Sequence, residues 1–257
     1  RAELDEIATA ARRAGLVARV QLKADTGLSR GGAVEADWGD LVSHAAALEA
    51  QKSDDSFDWK GRLAAGKTLA IRGINGDIRV TAAKGDEAVV HATKRAKKGD
   101  VSSVRIKVEP HAEGVTICAI YPGGSGDDCA SGNNSRKGRS SGDDVVVDFT
   151  VEVPAKVRFE GGTVNGGIDA QGLRADADVS TVNGAIVLAT TGVGSASTVN
   201  GSVRLRIGSA AWDGRLEART VNGSVTVEMP EPSDLEVEAG TLNGSISSDF
   251  PLTLQGK

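Results

Sequence analysis

Few residues in this chain could do chemistry, and their spacing suits little of it. Asp25-Thr26-Gly27 has the form of an aspartic-protease loop, but that reaction needs two carboxylates sharing a proton, and no second Asp-Thr/Ser-Gly occurs. Cys118 and Cys129 are the chain's two cysteines. Neither has a histidine close by in sequence to act as its base, and His91 and His111 each stand alone, so neither a nucleophilic thiol nor a metal site is expected. In an oxidising compartment the pair can form a disulfide that closes a short loop and stabilises it by about 2–3 kcal/mol; in a reducing one they remain two free thiols. Lys94-Arg95-Ala96-Lys97-Lys98 could touch a polyanion, yet it adjoins an apparent turn at Gly99-Asp100 and reads as solvated surface. Asn133-Asn134-Ser135 and the Asn-Gly-Ser triplets at Asn200, Asn222 and Asn243 match glycosylation acceptors, the latter because they belong to a repeat.

That repeat dominates the sequence. Thr-Val-Asn-Gly stands at 163–166, 181–184, 198–201 and 220–223, with Thr-Leu-Asn-Gly at 241–244 and an isolated relative, Gly-Ile-Asn-Gly, at 73–76. From Asn165 on, the asparagines lie 17 to 22 residues apart, a period that suits one coil of a solenoid. After each copy comes a small residue and then an apolar one, as in Gly167-Ile168-Asp169 and Ser202-Val203-Arg204, which is the alternation of a strand. Asn-Gly tolerates tight backbone geometry. The pairs Asn75-Gly76, Asn165-Gly166, Asn183-Gly184, Asn200-Gly201, Asn222-Gly223 and Asn243-Gly244 are therefore expected to be corners, each between an inward Val or Leu and the next inward Ile or Val. Stacked corners would let each side-chain amide bond the amides above and below. The competing reading, a row of asparagines lining a ligand groove, requires those amides exposed and unpaired.

Sugar-cleaving β-helices place rows of carboxylates or cations on one face and stack sugars on aromatics. Here the residues after the corners are Arg79, Asp169, Val187, Arg204, Thr226 and Ser247, and between 160 and 249 only Trp212 is aromatic. No catalytic residue, cofactor or metal is expected. A net charge of −5 with signs interspersed excludes a strong field for nucleic acid. No apolar stretch of about 18 residues occurs, so no transmembrane segment is expected. The first residue is Arg1 rather than Met, so the true start of the chain is expected to lie before it, together with any signal peptide.

Phe57-Asp-Trp-Lys-Gly61, Leu69-Ala-Ile-Arg-Gly-Ile-Asn-Gly-Asp-Ile78, the Thr-Val-Asn-Gly run and Ser248-Asp-Phe-Pro-Leu252 resemble the bacterial DUF4097 "putative adhesin" family over residues 55–257. The resemblance implies a single-stranded β-helix of an exported or envelope-associated protein, with no catalytic residues to carry over. It also implies a further C-terminal coil beyond this chain, and an uncapped end would invite end-to-end self-association. Residues 17–32, Val-Ala-Arg-Val-Gln-Leu-Lys-Ala-Asp-Thr-Gly-Leu-Ser-Arg-Gly-Gly, resemble part of the barrel of alanine racemase, where the arginine matching Arg30 lies near pyridoxal phosphate. The Schiff-base lysine and second base of that enzyme have no counterpart here.

The chain thus divides into a short α/β or helical N-terminal segment at 1–54, a racemase-like fragment or a cap, and an all-β solenoid at 55–257. The solenoid has coils of about 20 residues, about eight to ten of them. A polar, glycine-rich loop at 122–144 should project from it. The functional expectation is a non-catalytic scaffold outside the cytoplasm whose partner is an unknown protein or carbohydrate surface. The alternatives are a vestigial racemase fragment joined to it, or a carbohydrate-active β-helix enzyme.

Overall fold

The computed structural model describes residues 55–96, 100–122, 129, 144–209, 214–231, 236–240 and 245–249. The N-terminal segment, most of the 122–144 loop and the Asn243-Gly244 corner lie outside them.

Strand formation follows from alternation. In Val203-Arg-Leu-Arg-Ile207 every second residue is a branched apolar side chain that is buried, while the arginines between face water. Among the described residues fifteen strands run in chain order: β1 Ser56–Arg62, β2 Thr68–Arg72, β3 Ile78–Ala82, β4 Glu87–Ala96, β5 Arg105–His111, β6 Gly114–Ile120, β7 Val145–Val153, β8 Arg158–Gly162, β9 Ile168–Leu173, β10 Ala177–Ser180, β11 Ile186–Thr190, β12 Gly194–Asn200, β13 Val203–Ile207, β14 Glu217–Asn222 and β15 Val225–Glu228. A single 3-10 turn, Val101–Ser103, links β4 to β5.

The strands form two open sheets. One has the order β1-β4-β7-β3-β9-β11-β13-β15 and the other β14-β12-β10-β8-β2-β6-β5. From β8 on, the chain steps between the sheets at every corner, and each strand lies parallel to the one a repeat earlier in the same sheet. The sheets meet over a core that includes Leu69, Ile71, Phe159 and Val179 from one side and Ile78, Ile168, Ile186, Leu188 and Leu205 from the other. Each large aliphatic side chain among them stabilises the fold by about 1.5–3 kcal/mol through burial. The scarcity of aromatics leaves Phe149 and Phe159 as the largest buried side chains.

Among the described residues the strands do not form a uniform ladder of eight to ten parallel coils. Among the described residues six strand pairs stack, β6–β7, β2–β3, β8–β9, β10–β11, β12–β13 and β14–β15, and the stretch from Glu87 to His111 goes into antiparallel pairing instead. β1 pairs with β4, β4 with β7, and β5 with β6, all antiparallel. The stacking order also departs from chain order. β2 lies between β6 and β8, and β3 between β7 and β9, so the earliest pair sits inside the stack. Residue 75 thereby comes to lie beside residue 165, making the Gly73–Gly76 motif a full member of the series rather than an isolated relative.

Candidate functional site

Each residue of Thr-Val-Asn-Gly takes a different job at the corner where the chain passes from one sheet to the other. The threonine turns inward. Thr163, Thr181 and Thr198 are buried, and their hydroxyls donate to the carbonyls of Gly76, Gly166 and Gly184 in the neighbouring layer at 3.2, 2.9 and 3.0 Å. Thr220 repeats the bond to Gly201 at 2.8 Å. A buried hydroxyl without such a partner would cost about 1–3 kcal/mol, so the bond explains why a polar residue is tolerated there.

The valine turns outward, which corrects the expectation of an inward Val. Val182, Val199 and Val221 are 39%, 38% and 69% exposed. An extra residue of turn shifts the in-out parity between the strand before the corner and the strand after it, so alternation counted through the corner gives the wrong face.

The asparagines form a continuous amide ladder. Asn165 Nδ2 donates to Asn75 Oδ1 at 2.8 Å, Asn183 to Asn165 at 2.9 Å, Asn200 to Asn183 at 2.8 Å and Asn222 to Asn200 at 2.9 Å. From Asn165 onward the amides are exposed and yet mutually bonded, so the row is neither buried nor available as a set of unpaired ligand groups.

The glycines have no room for a side chain. A Cβ on Gly166 would stand 2.0 Å from the Gly76 carbonyl oxygen, and Gly184, Gly201 and Gly223 meet the carbonyl oxygen of the preceding corner glycine at the same distance. Gly76 meets Val147 O at 2.1 Å. Close backbone stacking therefore demands glycine at this position in every layer.

The stack changes character at Asn75. Tyr121 donates its hydroxyl to the Asn75 and Val145 carbonyls at 3.3 and 3.2 Å, and Val147 N–H donates to Asn75 O at 2.8 Å. Burial pushes the Tyr121 phenol far above its ordinary range, with the neighbouring Asp148 charge adding to the rise and the Asn75 bond opposing it. Asp148 Oδ1 accepts from Asp77 N–H at 3.0 Å and Asp77 Oδ1 accepts from Gly167 N–H at 2.9 Å, so two carboxylates cap corner amides in succession.

Cys118 and Cys129 form a disulfide. Cys118 lies on the outer face of β6, and with Ile120 and Cys129 it makes a small apolar cluster separate from the main core. Glu109 Oε2 accepts the Cys129 N–H at 3.0 Å; that bond, helped by Lys107, holds the Glu109 carboxyl below its usual range. Cys129 is thus fastened to the sheet by both its side chain and its backbone N–H.

Lys94, expected on the surface, is buried and donates to Val104 O at 3.0 Å. Arg95 bonds Asp148, and Lys97 and Lys98 lie outside the described residues, so the basic cluster forms no patch among those described.

His91 is not alone. Its Nδ1 lies 2.8 Å from Asp58 Oδ1 and its Nε2 3.1 Å from Thr93 Oγ1, a carboxylate, imidazole and hydroxyl in a row across β1 and β4. Cross-strand register creates this group, since Asp58 pairs with His91 and Thr93 lies two residues further along the same face. The row fixes the imidazole tautomer. It lies open on a sheet face, however, with the histidine and aspartate side chains 44% and 72% exposed. No group of three or more metal-ligating side chains occurs among the described residues. No helix among them is long and apolar enough to cross a membrane.

No family model matches the chain. Among curated proteins it is 65% identical over 48 residues to the alanine racemase of Frankia casuarinae and 55% identical over 49 residues to that of Salinispora arenicola. These stretches cover 19% of this chain and only 12% and 13% of the enzymes, so the chain spans about an eighth of the relatives it matches. Among solved structures, a putative cell adhesion protein from Clostridium sporogenes aligns with a TM-score of 0.38 at 9% identity, over 68% of this chain and 100% of that one. A putative adhesin from Parabacteroides distasonis aligns at 0.24 and 12%, over 68% and 79%. A putative lipid binding protein from the same organism aligns at 0.20 and 8%, over 69% and 97%.

Proposed function

We propose that residues 55–257 are a β-solenoid that serves, without catalysis, as an interaction scaffold outside the cytoplasm. The observation that carries this reading is the corner ladder. Five successive layers present the same uncharged edge, held in register by side-chain and backbone bonds, which is the construction of a rigid, repetitive contact surface. The Cys118–Cys129 bond supports an oxidising location, the cell envelope, cell surface or exterior. Its partner is a protein or carbohydrate surface. The racemase-like fragment carries no activity in this reading. The test is a panel of immobilised glycans and envelope proteins probed with the full chain, alongside turnover assays on the same glycans. Binding without product supports the scaffold, and product formation refutes it.

A second reading rests on Asp58, His91 and Thr93, whose order is that of an acyl-transfer relay. Hydrolysis of an activated ester by the full chain, lost in His91→Ala, would establish it. A rate equal to that of the variant would dismiss it.

A further inference from the structure

Three of the four residues of the repeat are explained from within. Thr, Asn and Gly each meet the next layer through a contact that their chemistry alone supplies. The second residue is not explained in this way. Ile74, Val164, Val182, Val199 and Val221 hold a branched apolar side chain at the outer edge of five layers in succession, and the last three are substantially exposed. A threonine, also β-branched, would serve the strand as well and would be better solvated.

The surroundings sharpen the point. A quarter of the whole chain is charged, yet no charged residue occurs at 74–76, 164–167, 182–185, 199–202 or 221–224. The one acidic residue at the margin of this strip, Asp77, is committed to Gly167 N–H and Arg79. A continuous uncharged strip on a molecule of net charge −5, with an apolar column beside an amide column, is the composition of a contact surface.

We propose that this strip binds the same strip on a second copy of the chain. The proposal rests on the scaffold reading and names its partner. Layers in both copies repeat at the strand spacing of ~4.8 Å, so valines of one column fit between those of the other in register, a match that an unrelated surface would have to acquire by chance. The absence of charge lets two molecules with the same net charge approach edge to edge. Five layers by four residues give roughly 250–300 Å² per copy, about half of what a stable interface of ~1,200 Å² in total requires. A single pair in solution therefore associates weakly, and arrays of copies on two facing surfaces hold through multivalency.

The experiment uses the full chain coupled at high density to microspheres. Wild-type beads are expected to cluster, and clustering persists at high salt because no ion pair is involved. Beads carrying Val182→Glu with Val199→Glu, or Val182→Lys with Val199→Lys, are each expected to lose clustering at least tenfold. Mixing the two variant populations at low salt restores it, which also proves both variants folded. Thr226→Glu, on the outer sheet face away from the strip, leaves clustering unchanged. Failure of wild-type beads to cluster at any density, dispersal by salt, or unchanged clustering of both double variants overturns the proposal. If coated beads bind glycan- or protein-coated beads but not each other, the scaffold reading stands and the second copy is refuted as its partner.

Discussion

Replacing Gly184 with alanine tests whether the corner is as tightly built as its distances indicate. The new Cβ would lie 2.0 Å from the Gly166 carbonyl oxygen and 2.5 Å from its carbon. Carbon and oxygen in contact need about 3.3 Å, so the two layers must part by more than about 1 Å at this point. Neither contact is a flexible side chain that could swing aside. The bonds spanning the gap are Gly166 N–H to Asn183 O at 3.0 Å, Asn183 Nδ2 to Asn165 Oδ1 at 2.9 Å and Thr181 Oγ1 to Gly166 O at 2.9 Å. At about 1 kcal/mol each, their loss together with residual strain amounts to about 3–4 kcal/mol. Gly85→Ala is the control, because nothing lies within 4 Å of its Cβ, and it is expected within about 0.5 kcal/mol of wild type. Urea denaturation followed by circular dichroism reads both as midpoint shifts at constant slope. Gly223→Ala separates local clash from position: its contact is also 2.0 Å, but it sits in the exposed β14–β15 pair, which can part from the stack alone. It should cost less than Gly184→Ala. Equal stability of Gly184→Ala and Gly85→Ala would refute the account of the corner.

Further outcomes follow from other contacts. Thr181→Val keeps the shape but removes the buried hydroxyl from Gly166 O, and is expected to lower stability by about 1–2 kcal/mol in the same denaturation assay. Reducing Cys118–Cys129, which closes a span of 11 residues, should lower the melting stability by about 2.5–3 kcal/mol on the loop-entropy model, measured by calorimetry with and without reductant. Tyr121 is the one tyrosine of the chain, so absorbance of tyrosinate reports it directly. Its folded pKa is raised, so the unfolded chain loses the phenolic proton first as pH rises above about 10, and the native state is disfavoured from there by up to about 1.4 kcal/mol per pH unit. Tyr121→Phe should lose this component of the alkaline destabilisation while giving up, at neutral pH, the hydroxyl proton shared between the Asn75 and Val145 carbonyls.

Much of the candidate site was legible because its chemistry repeats once per layer. The period of the asparagines in sequence is the period of the stack, so Asn165, Asn183, Asn200 and Asn222 could be aligned before their amides were seen to bond. Asn75 could be recognised as kin but not placed. The excursion through β4, β5 and β6 separates it from Asn165 by 90 residues, and nothing local records that the chain returns to both sides of β2. The outward valine was missed because parity cannot be counted through a turn of unknown geometry. Lys94 and His91 escaped for different reasons: Asp58 reaches His91 through antiparallel register, and Val104 O reaches Lys94 through the fold of the short link that carries the 3-10 turn, neither of which is encoded by the residues beside them.

The two ends of the stack obey different rules, and this bears on what the fold is good for. Beyond Asn75 the next pair is β6–β7, whose strands hold no asparagine and whose connection lies mostly outside the described residues, and β4, β1 and β5 then join antiparallel. An antiparallel strand alternates its hydrogen-bond spacing and reverses the chain, so beyond β6–β7 the sheets cannot add another parallel corner in register. In the other direction each pair from β8–β9 to β14–β15 repeats the same threonine, amide and backbone bonds to the pair before it. Stability then accrues layer by layer from nearest neighbours, while the outer strand positions, Arg79, Asp169, Val187, Arg204 and Thr226, remain free to differ. Adding a layer lengthens the uncharged edge by one more unit of about 4.8 Å without altering those already present. A contact surface gains area in proportion to such extension, and this is the physical reason why the proposed scaffold function is assigned to the edge rather than to either sheet face.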